Sequence, residues 1–180
     1  MKIRKEIKKL TLNKNEKKEN PKIFHIVFIC VIIVSLILNL FVIQLAHVNG
    51  SSMYPTLKDG QLLFVSKITS SDNYQRGDII VFKYNGRNLI KRLIGLPGEK
   101  VQIIDNDIYI NDKKINDFVD VQMKNFDENI LNDGILLSKD EFIFLGDNRN
   151  DSFDCRRIGA VNKKDIVGKV VFRFVPFQKF

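Results

Sequence analysis

Asp78-Ile79-Ile80-Val81-Phe82-Lys83-Tyr84-Asn85-Gly86-Arg87-Asn88-Leu89-Ile90-Lys91-Arg92-Leu93-Ile94 is two apolar runs joined through Asn-Gly. That dipeptide between such runs is the strongest short signal for a two-residue β-hairpin, because both turn residues must take positive φ. It predicts antiparallel strands over about 78–84 and 89–94, the second running into a Pro97-Gly98 turn. Side chains alternate along a strand, so Lys91 and Arg92 point to opposite faces. One cation is expected inward among apolar neighbours and the other in solvent.

An unperturbed lysine, pKa about 10.4, is neutral in only about four molecules per ten thousand at pH 7. Burial disfavours the ammonium and lowers that pKa by up to several units. Lys91 is therefore a candidate general base. A candidate nucleophile lies in Asn49-Gly50-Ser51-Ser52-Met53-Tyr54-Pro55-Thr56-Leu57, a Gly/Pro-framed bend. A serine nucleophile usually takes histidine as its base. The two histidines, His25 and His47, lie within and at the far end of an apolar run, neither well placed for a soluble site. Ser52 with Lys91 is the expected pair.

Other strand signals flank the hairpin: 61–66 after Asp59-Gly60, 100–104 with 107–110, 141–145, and 166–175. Many short strands with Gly, Pro and Asn turns predict a mostly β, Greek-key or barrel-like domain. The polar stretch 116–133, with Phe118 and Phe126 as its main hints of order, reads as a loop or insertion. Cys30 and Cys155 are too differently placed to predict a disulfide, and no Cys/His cluster signals a metal or cofactor.

Residues 1–22 carry nine Lys/Arg against three acids, six of the net +8 charges. Residues 23–46 contain no Asp, Glu, Lys or Arg and are long enough for a bilayer core of roughly 30 Å. The run exceeds the roughly 7–15 residues of a signal-peptide core and precedes no persuasive small-x-small site. The predicted organisation is a basic cytoplasmic tail (1–22), a transmembrane signal-anchor helix (23–46) and an extracytoplasmic β domain (47–180) at the plasma membrane. The lipid bilayer is thus an expected partner. Nucleic acid is not, since no aromatic interleaving or reading motif accompanies the basic residues. Tyr54, Pro55 and Met53, close to the anchor, are expected to meet the bilayer interface.

Gly146-Asp147-Asn148-Arg149-Asn150-Asp151-Ser152-Phe153-Asp154-Cys155-Arg156-Arg157-Ile158-Gly159 follows an apolar strand. Alone it reads as well as a solvated loop with Asx turns as a braced polar network. Taken in order with Gly50–Leu57, Arg76–Phe82 and Lys91–Glu99, and with Ile166–Val170 and Pro176 behind, it makes the chain resemble the type I signal peptidases. The resemblance is to their compact Gram-positive form and spares only the tail and 116–133.

That resemblance implies a membrane-anchored serine protease that removes signal peptides from preproteins after Ala-x-Ala-like sites. Ser52 would be nucleophile and Lys91 general base, with Ser152 orienting the lysine by a hydrogen bond. Asp147, Asp154 and Arg156 would brace them, and the Ser52 N–H would serve the oxyanion hole. Gly50 stands where some members supply a serine hydroxyl, leaving the second donor open between backbone and water. Cys155 replaces a usual serine and would add a thiol beside the site. Two rival classes are a self-cleaving repressor-type Ser–Lys protease and a catalytically silent membrane-tethered β module.

Overall fold

The computed structural model describes residues 21–37, 42–68, 73–121, 123–124 and 129–180. Most of the basic tail, and Phe126, lie outside them. The chain divides into two units, 1–38 and 39–180.

In the first unit, α1 (Pro21–Ile37) is a 17-residue helix. Pro21 opens it, where a missing N–H costs nothing. Every side chain from Lys22 to Ile37 is exposed and nearly all are apolar, so the helix has no polar face to set against a buried one. Among the described residues no helix is long and apolar enough to cross a membrane.

The helix expected over 23–46 needs correction at its end, because Ile43–His47 is strand β1. It pairs antiparallel with β2 (Leu62–Ser66), Ile43 opposite Ser66 and His47 opposite Leu62. A short apolar run reads alike as helix or strand by hydropathy. Here the outer edge of β2 decides, since its N–H and C=O groups find partners in β1.

The second unit continues with β3 (Ile79–Tyr84), β4 (Arg87–Gly95), β5 (Lys100–Ile104), β6 (Asp107–Ile110), β7 (Lys113–Lys114), β8 (Ile135–Leu136) and β9 (Glu141–Leu145). After these come α2 (Cys155–Ile158), β10 (Val161–Asn162), β11 (Ile166–Arg173) and β12 (Gln178–Lys179). Every pairing is antiparallel. One sheet runs β1-β2-β11-β3-β4-β9-β10 with β12 on β11, and a smaller one runs β7-β6-β5-β8. The domain is mostly β, as expected. Asn85 and Gly86 take φ of 47° and 75°, so the β3–β4 hairpin forms where the sequence put it.

β3 is buried on both faces. Ile80 and Phe82 join the larger core with Leu93, Val101, Ile108 and Phe144. Ile79 and Val81 join a smaller core with Met53, Leu57, Leu63 and Val170. That double burial is why 79–82 is an unbroken apolar run rather than an alternating one. β4 shares both faces, which places Lys91, opposite Ile80, on the side of the larger core.

β11 crosses between β2 and β3 with a register shift between Ile166 and Gly168. A Cβ at Gly168 would stand 2.2 Å from the Ser66 carbonyl oxygen, which is backbone and cannot swing aside. Gly168→Ala is expected to destabilise the domain by about 1–3 kcal/mol, the usual cost of overpacking. A lowered midpoint in chemical denaturation checks this; an unchanged midpoint would refute the close approach.

Candidate active site

Ser52 stands in the bend between β1 and β2. The Val48 N–H donates to Gln61 O and the Gly60 N–H to Val48 O, both at 2.9 Å, closing the base of the bend. Gly50 reverses the chain at φ +91° and donates its N–H to Asp59 Oδ1 at 2.7 Å. Met53 and Leu57 plug the bend into the smaller core. Met53 is only 1% exposed, so the expectation that it meets a bilayer is overturned: the core claims it. Tyr54 and Pro55 remain exposed.

Lys91 reaches the bend from β4, flanked on its own face by Leu89 and Leu93. It is 3% exposed. Its Nζ donates to Ser52 Oγ at 2.7 Å and to Ile90 O at 3.0 Å. Burial pushes the ammonium below its ordinary pKa of 10.5; Asp154, Cys155 and Asp147 pull the other way without cancelling it. The inward cation of the sequence reading is therefore Lys91.

Arg92 is not the solvent-facing partner that alternation suggested. It forks onto Asp147, Nε to Oδ1 at 2.7 Å and Nη2 to Oδ2 at 2.5 Å, and donates through Nη1 to Gly77 O at 2.7 Å. Alternation did put it on the opposite face, but that face is also covered. Asp147 is fully buried, and a buried carboxylate needs such a bidentate partner.

A second fork braces the other side. Arg156 donates from Nε to Asp154 Oδ1 at 2.9 Å and from Nη2 to Asp154 Oδ2 at 2.8 Å, and its Nη1 holds Arg149 O at 2.6 Å. Asp154 also caps α2 by accepting from the Arg156 N–H and takes the Gly146 N–H at 2.9 Å. Burial alone would raise the Asp154 carboxyl, but Arg156, the Gly146 N–H and the Ser152 hydroxyl outweigh it and hold the pKa below 3.8. The Asn148 N–H donates to Ser52 O at 3.0 Å, and Ser51 Oγ donates to Asp151 Oδ2 at 2.7 Å. The 146–151 backbone thus grips the serine bend directly.

Beside Ser52 and Lys91 is a cleft of about 180 Å³, lined by His47–Asn49 on one side and Asn88–Lys91 on the other, with Phe153 at its rim. β3 pairs with β4 through Arg92, whereas β9 pairs with it only from Arg92 onward. Among the described residues, 87–91 therefore pair only with β3 and have no partner strand on their other edge, beside the serine. A larger concavity of about 650 Å³, along 105–108 and 114–123, shares no residue with this cleft.

The profile of the family described as "Signal peptidase, peptidase S26" matches residues 21–175. The chain belongs to the signal peptidase family. It is 34% identical over 182 residues to signal peptidase I U of Bacillus subtilis, covering 94% of this chain and 95% of that one. Signal peptidase IB of Staphylococcus aureus is 33% identical over 164 residues, covering 82% and 86%. A crystal structure of a signal peptidase I from Enterococcus faecalis is 30% identical, with a TM-score of 0.46 over 54% of this chain and 96% of that one. Membership makes the chain a serine peptidase of a family that acts on the signal peptides of preproteins.

Within this signal peptidase sequence, Ser52, Lys91, Asp147, Asp154 and Arg156 converge as the sequence analysis expected. Ser152 departs from it. Its hydroxyl is buried and close enough to Asp154 to help lower that carboxyl, but it makes no hydrogen bond of ordinary geometry, to Lys91 or otherwise. Gly146 explains how tightly it is held: a Cβ there would stand 2.0 Å from Ser152 Oγ and 2.6 Å from Ser52 O.

Cys155 is fully buried and accepts a hydrogen bond from the Phe144 N–H at 3.1 Å. Burial pushes its pKa far up, so the extra thiol expected beside the site is a packed, unreactive one. Sequence reasoning missed Arg149, 1% exposed, although it sits inside the polar box. It also missed its partner Asp117, which no motif marks.

Two outcomes follow from these burials. In folded protein carrying Cys30→Ser, Cys155 is expected to resist a maleimide at neutral pH and to react once denatured; prompt labelling of the native protein would refute its burial. Asp154 binds fewer protons folded than unfolded. Its stabilisation is therefore complete above the ordinary carboxyl value of 3.8 and lost as pH falls below it through the lowered folded value. Wild type is expected to lose more stability across that acid window than Asp154→Asn, measured by denaturant titration at several pH values. Equal losses would remove Asp154 as a source of acid sensitivity.

Proposed function

We propose that this chain is a signal peptidase I that cuts preproteins after small-x-small sites with Ser52 as nucleophile and Lys91 as general base. The observation that carries the reading is the 2.7 Å separation of Ser52 Oγ from a nearly fully buried Lys91 Nζ. Neutral Lys91 accepts the Ser52 proton while Oγ bonds to the scissile carbonyl carbon. The C–N bond then breaks, and the Lys91 ammonium protonates the departing amine. In deacylation Lys91 takes a proton from water, whose oxygen attacks the acyl ester, and returns it to Ser52.

The Ser52 N–H is the first oxyanion donor in this reading. The Gly50 N–H is occupied by Asp59, and nothing lies within 4 Å of where a Gly50 Cβ would stand. Water in that open space supplies the second donor. The substrate lies extended along the unpaired edge of 87–91, held by main-chain hydrogen bonds. A cleft near 180 Å³ is below the roughly 300–1,000 Å³ of ordinary ligand pockets, which suits small side chains at −1 and −3.

The almost wholly apolar surface of α1 supports a membrane anchor, and the basic residues before it favour a catalytic domain on the extracytoplasmic face. Its 17 residues rise about 26 Å at 1.5 Å each, a few ångströms short of a bilayer core of roughly 30 Å.

The test is processing of an Ala-x-Ala preprotein in detergent or liposomes. Wild type is expected to cleave, and Ser52→Ala and Lys91→Ala each to lose on the order of a thousandfold or more. Activity is expected to rise with pH along an acid limb centred below 10.5, because only neutral Lys91 serves as base. Persistent cleavage by either variant would reject the assigned pair. A folded but inactive wild type would favour the silent β module.

A further inference from the structure

The stretch 116–133 reads in sequence as a loop or insertion, yet its described residues bond to the 146–156 segment. Leu131 is fully buried and Met123 nearly so. The Lys124 N–H donates to Asn150 Oδ1 at 2.8 Å, and the Ile130 N–H to Arg156 O at 3.0 Å. Asp117 takes the Arg149 guanidinium with both oxygens, Nε to Oδ2 at 2.8 Å and Nη2 to Oδ1. The next residue, Phe118, lies under Arg92, whose guanidinium carbon is 5.7 Å from the ring centroid. Gly77 leaves room for that ring, since a Cβ there would stand 2.6 Å from Phe118 Cε1.

Two adjacent residues thus engage two arginines that flank one carboxylate. Arg92 forks onto Asp147, while Arg149 Nη1 stays 4.0 Å from Asp147 Oδ1 and donates to Gly146 O instead. Without Asp117, the buried Arg149 charge would have Asp147 as its nearest ion-pair partner, and an unpaired buried charge is costly. Arg149 would then compete with Arg92 for Asp147. Movement there would pass to Asn148, whose N–H holds Ser52 O, and to Gly146, whose N–H is on Asp154. We infer that Asp117 is a positioning residue: by neutralising Arg149 it keeps Asp147 on Arg92 and holds the 146–148 backbone against the Ser52–Lys91 pair. The inference rests on that pair being catalytic, which Ser52→Ala tests separately.

The readout is kinetic. The ionisable groups that face Lys91 are Asp154 and Cys155 from α2 and its cap, and Asp147 from the turn after β9. Losing Asp117 leaves the Arg149 charge uncompensated and draws Asp147, one of the carboxylates that favour the ammonium, towards it, so less negative potential remains for Lys91. The ammonium is then less favoured, and the acid limb of the pH–rate profile moves to lower pH. In full-length protein in detergent, Asp117→Asn is expected to lower kcat roughly ten- to hundredfold, the scale of a small misplacement, with KM nearly unchanged. Asp117→Glu, which keeps the charge, is expected to restore most of the rate and the wild-type midpoint.

A fall in rate with an unmoved midpoint and no rescue would reduce Asp117 to a folding role and overturn the inference; so would an unchanged kcat. Should Asp117→Asn fail to fold, the double variant Asp117→Asn/Arg149→Met removes both charges and leaves neither unpaired. With no Arg149 charge left to compete with Arg92 for Asp147, it is expected to fold with a kcat and a midpoint near those of wild type. A folded double variant with a kcat tens of times below wild type and a shifted midpoint would show that Asp117 does not act through Arg149 and would overturn the inference.

Discussion

The burial of one ammonium group organises this domain. Lys91 lies on a strand whose faces both meet apolar cores, and the residue is only 3% exposed. A lysine there is unfavourable for folding, because desolvation penalises its charged form. The same penalty lowers its pKa below the ordinary lysine value. The surrounding carboxylates pull its pKa up again, but Arg92 and Arg156 hold Asp147 and Asp154 in forks of their own. Each carboxylate is thus largely spent on its own arginine, and neither hydrogen-bonds to the lysine among the described residues. Pairing the acids with arginines limits how far they restore the charged form of the lysine.

Around that centre the structure is a set of short braces. The serine bend is plugged from below by Met53 and Leu57 and gripped from above by the Asn148 N–H. Arg76 pairs with Glu99 at 2.5 Å, and Asp78 with Lys169 at 2.7 Å. These surface-side pairs tie the approach to β3 to its neighbours and add little energy each. Their geometry matters more than their strength, because β3 is the wall on which the lysine strand is registered.

The hairpin and the pair were legible because local chemistry dictates them. Asn85-Gly86 admits one kind of turn, and Lys91 between apolar neighbours has a direction fixed by alternation. Arg92 was misread because alternation reports a face and not what covers it; Thr56 and Phe118 come from distant parts of the chain. β1 was hidden because hydropathy cannot separate a strand that completes a sheet from the end of an apolar helix. Asp117 carried no local signal at all, since its meaning comes only from Arg149, thirty-two residues away. Cys155 was misjudged for a related reason: the sequence places the thiol near the site but not its depth.

The unpaired edge of β4 has a consequence beyond the cleft. A strand edge without a partner strand is open to any extended chain, not only a chosen one, although here Ile90 O is already held by Lys91 Nζ. Arg87 and Asn88, both exposed, stand at its start, and Phe153 overhangs the cleft. The edge ends where β9 takes over at Arg92. A guest strand is therefore limited to the few residues between a charged entrance and a covered exit. That brevity lets the domain keep an open seam without offering its neighbours a sheet to extend.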